Sequence, residues 1–412
     1  MTVPFKPPAM PESNVWVEIL STTNLESVCM VQYATVTATL FYNSVGSYSI
    51  LAPYSDYLWS KVMVGDFVVR VNWRGLFSFG GKCEQPTYMN SIPGAGAGMG
   101  NLSGPFIMMS GADYLSIIAN RIAYPDYTKA WSQQLPDSAD VVINIPLETA
   151  IKHYVNYNVG PGALANRQHP LLDIAADQHR GPNVNYSVKF GSGVSLNLLD
   201  VVRALINQAN INMGIRVTQN GNRLLFDVYL PIDKSGTATF SEELGNLTSI
   251  SFSLTDPTCT DALVQGASKF VSAVSSTNTP WNKTEEFVDD SSETDVNNLN
   301  TTANNTLFSG AFGPNMSTTA TDTPYTIYGR DYAIGDIVTV VVRPDTPLIS
   351  AITYTDIVSS VALTCDPAQT PILNVVPVIG NDTSPNASDK SFTGQIVHRI
   401  VDIEKKLARR NK

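Results

Sequence analysis

The side chains in this sequence that could do chemistry are four histidines, four cysteines and a scatter of carboxylates. His169 and His179 lie within "RQHPLLDIAADQHR", with Asp173 and Asp177 between them. Two imidazoles and two carboxylates are donor types that a divalent metal accepts. Their spacing matches no zinc motif and the segment contains Pro170, so a metal site is not expected here. Glu148 and His153 are the residue types used for general acid–base transfer. They read more simply as a first-turn helix carboxylate and a surface imidazole. Cys29, Cys83, Cys259 and Cys365 include no C-x-x-C, and no histidine lies at ligand spacing from any of them. Buried thiols in a reducing compartment are the expectation. The chain has no G-x-S-x-G, H-E-x-x-H or Walker A sequence, and no G-x-G-x-x-G after a strand. We therefore expect a protein that is not an enzyme, with no catalytic, metal-binding or cofactor-binding residues and no cofactor.

Composition narrows the classes further. The 412 residues are enough for two or three cores. A formal net charge of −10 disfavours sequence-specific binding of nucleic acid, because an acidic surface repels phosphate. It is compatible with DNA merely sliding past. The start, "MTVPFKPPAMPE", has no apolar core of a signal peptide. The most apolar run, "LNLLDVVRALI", is broken by Asp200 and Arg203, so no membrane span is expected.

The first hundred residues read as short strands rich in β-branched and aromatic side chains: Val15–Leu20, Gln32–Asn43, Gly46–Leu51, Gly65–Trp73 and Gly75–Cys83. Ser91–Gly104 reads as a flexible Gly-rich connector. Helical signals follow. Ser110–Ile122 reads as a helix capped by Ser110 with Asp113 in its first turn, and Ile145–Val159 as a helix with Pro146 in its first turn. Ser195–Gly214 reads as a helix capped by Ser195, with Leu198, Leu199, Val202, Leu205, Ile206 and Ala209 as its apolar stripe. Asn220-Gly221 marks a hairpin between two strands of Ile215–Pro231. Strand signals resume at Ser249. Ser275–Thr323 is too polar to bury itself and reads as a long loop or partly disordered insertion. Strands return at Tyr325–Gly329, Gly335–Val342, Leu348–Leu363 and Ile372–Gly380. In the tail, Ile396, Ile400, Ile403 and Leu407 follow the 4-3-4 spacing of a coiled-coil seam, and docking onto the same chain fits equally.

One phrase occurs twice. "VMVGDFVVRVNWR" (Val62–Arg74) and "YAIGDIVTVVVRPD" (Tyr332–Asp345) both place Gly-Asp before an apolar run that ends in Arg. Glycine takes positive φ without steric cost, and aspartate can accept a nearby backbone N–H in a turn. Gly65-Asp66 and Gly335-Asp336 thus read as a repeated turn–strand motif in two strand-rich regions.

This layout resembles the minor tail proteins of siphophages that build the tail-tip, or baseplate, hub. The resemblance is carried by "LFYNSVGSYSILAP…VGDFVVRVNWRGLFSFGGKCE" (Leu40–Glu84), "LLFDVYLPIDKSGTATFSEELGNLTSISFSLT" (Leu224–Thr255) and "YAIGDIVTVVV…ISAITYTDIV" (Tyr332–Val358). It covers most of Val15–Gly380 and rests on order and patterning. It implies an α+β chain with two β-barrel-like hub domains flanking a mixed α/β middle domain, and a C-terminal helix. The divisions expected are 1–105 for the first barrel, 106–245 for the middle, 246–390 for the second barrel with its polar insertion at 275–323, and 391–412 for the helix. It further implies a homotrimer whose six barrels imitate a sixfold ring, joining the sixfold tail tube to the threefold tip. The implied partners are the distal tail protein, the tape-measure protein and further tip or receptor-binding proteins. Genomic DNA would pass through the lumen without specific binding. The implied location is the virion tail tip, after synthesis in the bacterial host cytoplasm. Two other classes stay open: a receptor- or carbohydrate-binding tip protein stacking sugars on Trp59, Trp73, Trp131 or Trp281, and a tail-associated cell-wall hydrolase.

Overall fold

The computed structural model describes residues 15–380, apart from 32–33, 64, 92–103, 191–194, 210, 256, 277, 292, 311–312, 343–351 and 368–371. Strands dominate from the start: β1 (Val15–Ser21), β2 (Ser27–Val31), β3 (Thr35–Phe41) and β4 (Ser44–Pro53). A short helix α1 (Asp56–Val62), capped by the Ser55 hydroxyl, leads into β5 (Phe67–Trp73), β6 (Phe77–Lys82), β7 (Gln85–Ser91) and β8 (Gly104–Ala112). The middle of the chain holds α2 (Ser116–Ala119), β9 (Ala139–Pro146), α3 (Leu147–Asn158), β10 (Leu172–Ile174), β11 (Asn183–Lys189), α4 (Leu198–Ala209), β12 (Gly214–Asn220) and β13 (Arg223–Tyr229). The remainder is β14 (Thr239–Ser241), β15 (Leu247–Thr255), β16 (Asp261–Gln265), β17 (Phe270–Val274), β18 (Glu285–Asp289), α5 (Val296–Ser309), β19 (Gly313–Ala320), β20 (Ile337–Val342), β21 (Ile352–Cys365) and β22 (Leu373–Gly380).

The fold is mostly strand, and no sheet closes into a barrel among the described residues. Strands from both ends of the chain instead share one ten-stranded sheet, whose main path runs β15-β19-β22-β21-β3-β4-β8-β7. The fourteen-residue β21 makes this possible. Its first part pairs with β20, and from Val358 it pairs with β22 on one side. From Ser360 it also pairs with β3, from Ser360↔Phe41 to Cys365↔Val36. That pairing covers edges that two separate sheets would leave open. A smaller sheet, β2-β1-β5-β6, packs on the same core. Alternation explains the packing: Phe67, Val69, Val71 and Trp73 of β5 point into the core that also holds Val338, Val340, Val361 and Ile379. Each end of the chain thus needs the other to bury its apolar face.

Arg74 and Asp322 tie the same halves together, 3.3 Å apart. Beside them Phe77 meets the Tyr328 ring edge-on at 5.0 Å, and the Tyr332 hydroxyl donates to Asp322 Oδ1 at 2.8 Å.

A second core is formed by the middle elements. Helix α3 buries Ile151, Tyr154 and Val155 on one face, and α4 buries Leu198, Leu199, Val202, Leu205 and Ile206. Asn197 caps α4, accepting the N–H of Leu199 and Asp200 through Oδ1, while the expected cap Ser195 accepts the N–H of Asn197. The hairpin β12–β13 forms where Asn220-Gly221 marks it, with Asn220 paired to Arg223. The helix expected from Ser110 does not form there. Ser110 lies in β8, paired with Ser49, because that strand completes the sheet beside β4; only Ser116–Ala119 is helical.

The polar stretch expected as a loop ends in β19 of the ten-stranded sheet and, before it, contains β18 and α5. With β16 and β17 they make a satellite unit, a sheet of order β17-β16-β18 backed by α5. Cys259, Ala262, Val264, Leu299 and Ala303 are its small core. Few apolar residues suffice here because the unit rests one helix on three short strands.

Candidate functional site

The second Gly-Asp phrase sits where three parts of the chain meet. Gly335 has φ +87, and its N–H donates to the Val358 carbonyl of β21 at 2.9 Å. Asp336 is buried, and its carboxylate accepts two backbone N–H groups, Ile232 at 2.9 Å and Ala333 at 3.0 Å. This pins the segment after β13 onto the start of β20. A Cβ on Gly335 would lie 2.5 Å from Cε2 of Tyr42, the residue that ends β3's run into the β3–β4 turn. The Tyr42 hydroxyl donates to Asn212 Oδ1 at 2.6 Å. Asn43, in the turn with φ +51, donates to the Met213 carbonyl and accepts the N–H of Ile215, both at 2.9 Å. Arg203 of α4 donates to the Asn43 carbonyl at 2.8 Å and to the Ser44 hydroxyl at 2.7 Å. The N-terminal turn, the middle elements and the late strands are therefore hydrogen-bonded into one junction.

The first phrase shares the backbone but not the surroundings. Gly65 has φ +76 and also stands immediately before its Asp and a strand, β5. No atom lies within 4 Å of where its Cβ would be. Asp66 is exposed, accepts the Thr22 hydroxyl at 3.1 Å and stands 3.3 Å from Lys82 Nζ. The two motifs are alike in turn and strand, while only Gly335-Asp336 is a structural knot.

The residues that could do chemistry are not brought together. Glu148 is fully buried, accepting Lys152 Nζ at 2.6 Å, Arg180 Nε at 2.8 Å and the Arg180 N–H at 3.0 Å. Burial alone would push its carboxyl up, but Arg180, Lys152 and backbone N–H groups pull it down to about 2. His153 turns away from it to Asp140, 2.9 Å away. Asp173 pairs with Arg223 at 2.7 Å. Asp177 pairs with His179 at 3.2 Å and accepts the Thr149 hydroxyl, and His169 lies elsewhere. No group of three or more His, Cys, Asp or Glu among the described residues is arranged to hold a metal. All four cysteines are buried and unbridged. Ile396, Ile400, Ile403 and Leu407 lie outside the described residues.

Of the tryptophans, Trp73 is core, Trp131 is about half exposed, and Trp281 is almost wholly exposed on the satellite unit. Phe270, Val274 and Phe287 are also exposed on that unit. The junction residues Asn43, Arg203 and Asn212 were missed by sequence reasoning. Arg203 carried the available signal, as a charge interrupting the apolar run of α4.

Comparison with known proteins fits this architecture. The family described as "Siphovirus ReqiPepy6 Gp37-like protein" matches residues 16–381. Among solved structures, the prophage MuSo2 43 kDa tail protein from Shewanella oneidensis aligns with TM-score 0.52 and 11% identity, covering 92% of this chain and 99% of that one. A tail protein from Neisseria meningitidis MC58 aligns with TM-score 0.52 and 10% identity, covering 90% and 98%. At such identities the likeness is one of fold. No curated protein is similar enough in sequence to be matched.

Proposed function

The chain belongs to the Siphovirus ReqiPepy6 Gp37-like family, and from that premise we propose that it is a structural tail protein, a trimeric hub of the tail tip. Its role is to join the sixfold tail tube to a threefold tip and to surround the channel through which DNA leaves. The observation that carries this reading is the doubled turn–strand unit: Gly65 and Gly335 both take positive φ, and each starts a core strand. Two like units per chain let three chains present six similar positions. Both motifs lead strands of one shared core, and pairing of β3 with β21 joins the two ends of the chain inside one subunit. The outermost strands of the long path, β7 and β15, each have one partner strand in the described chain, and their other edges are where the next subunit would add. The acidic composition suits a channel wall, since few captured phosphates means little counterion-release affinity.

The partners on this reading are the distal tail protein above, the tape-measure protein within and further tip or receptor-binding proteins below. The satellite unit, with Trp281, Phe270 and Phe287 outward, is the contact for one of the last group. The protein's place is the virion, at the tail tip.

Light scattering tests the oligomer. The purified chain is expected at three times its monomer mass, and Ile400→Asp with Ile403→Asp is expected to shift it toward monomer if the tail forms the seam. A wild-type monomer would contradict the trimer. A trimer unmoved by the double substitution would remove the tail seam and leave the sheet edges as the contact.

A further inference from the structure

A cavity of about 440 Å³ opens between the first sheet and the middle domain. Its walls come from the β1–β2 turn, β5, β6, α2 and the segment around His169. One side is apolar: Leu25, Val68, Ile117, Leu171 and Leu224. The polar side is unusual for a chain with net charge −10. Arg121 lines it with no hydrogen bond or ion pair for its guanidinium among the described residues. The Asn120 side-chain amide is likewise unengaged. The His169 Nδ1 atom is shielded from solvent and has no hydrogen-bond partner.

The other polar groups of the wall are committed. Lys82 and Asp66 stand 3.3 Å apart, and the Thr22 hydroxyl donates to Asp66. The Tyr114 hydroxyl donates to Gln219 at 3.2 Å, and the Ser116 hydroxyl to the Asp113 carbonyl at 2.6 Å. The uncompensated charge in the cavity is therefore positive, and it is Arg121. Burial, and then the Arg121 charge, hold the His169 imidazole below its usual pKa.

We propose that this cavity is a binding site for a carboxylate carried on an apolar body. The guanidinium fork takes both carboxylate oxygens. Asn120 supplies a further donor, and the leucine and valine wall covers the hydrocarbon. The volume lies in the range of ordinary ligand pockets. A monoanion fits better than a phosphate dianion, because one guanidinium balances one charge. Such a carboxylate has two sources: a free acid, or an acidic residue flanked by apolar ones on a segment of another tail protein. This proposal stands apart from the hub reading and survives its failure.

Calorimetric titration of the intact protein with hexanoate, hexanamide and the capped tripeptide Leu-Asp-Leu tests it. At least one of the two carboxylates is expected to bind saturably, and hexanamide at least tenfold more weakly than hexanoate. Tighter binding of the tripeptide identifies a protein segment as the source, and tighter binding of hexanoate a free acid. Arg121→Gln is expected to weaken carboxylate binding at least tenfold, and Arg121→Lys by less, because it keeps the charge and loses the fork; unchanged circular dichroism of both variants controls for folding. NMR titration of the four histidines gives a second readout. Bound carboxylate raises the His169 midpoint in the wild type, with the signal assigned by His169→Gln. Hexanamide binding as tightly as a hexanoate that does bind, no binding of either carboxylate, or an unchanged affinity of the binding carboxylate in Arg121→Gln would each overturn the assignment.

Discussion

Replacing Glu148 with alanine is expected to destabilise the protein by about 3–5 kcal/mol, the usual cost of removing one partner from a buried ion pair. Its carboxylate is the acceptor for Lys152 and Arg180. Without it, the buried Lys152 ammonium keeps only the Ala176 carbonyl, 2.8 Å away. Arg180 is less stranded, because Asp227 stands 3.8 Å off and solvent reaches it. Urea unfolding followed by circular dichroism at pH 7 measures the loss; a change under about 1 kcal/mol would contradict the role assigned to Glu148. The pH dependence has a definite sign. The folded carboxyl titrates at about 2 against an ordinary value of 4.5. Its stabilisation is therefore complete above 4.5 and lost as pH falls toward 2. The gap between wild type and Glu148→Gln should be constant from pH 7 to 5 and close below that.

Gly335→Ala is expected to cost about 2–5 kcal/mol. Left-handed backbone costs a residue with a Cβ about 1–2 kcal/mol, and forcing a methyl into packed surroundings about 1–3 kcal/mol. Both apply at Gly335, where φ is +87 and the Tyr42 ring stands 2.5 Å from the new carbon. Only the first applies at Gly65, whose Cβ would meet open space, so Gly65→Ala should cost about 1–2 kcal/mol. Chemical denaturation of the pair reads the difference directly. Equal losses would mean that the Tyr42 ring simply moves aside and the junction is looser than its hydrogen bonds imply.

What could be read from the sequence was whatever repeats locally. The stripes of α3 and α4 and the Asn220-Gly221 turn are set by spacing within a dozen residues, and they form where that spacing puts them. The positive φ at Gly65 and Gly335 follows from the same local chemistry. Long-range pairing was not legible. Nothing within β3 or β21 states that Val36 meets Cys365, so two barrels were expected where one open sheet joins both ends of the chain. Ser110 has the type of a helix cap, yet β8 needed it as a strand residue beside β4. The satellite unit was hidden for a different reason. Among the α5 residues whose burial is described, Leu299 and Ala303 are the fully buried apolar ones, too few among asparagines and threonines to show a stripe. At the candidate site the aspartate could be read but not its importance. Asp66 and Asp336 look the same in sequence, and only the fold buries one against two backbone donors and leaves the other beside Lys82.

The most direct measurement is an averaged electron-microscopy reconstruction of the tail tip. The hub reading requires three copies of this chain about the tail axis, with the strands led by Gly65 and Gly335 occupying six similar positions around the channel. Six copies in the ring, a single copy off the axis, or three copies whose two strand units sit at unrelated radii would contradict it.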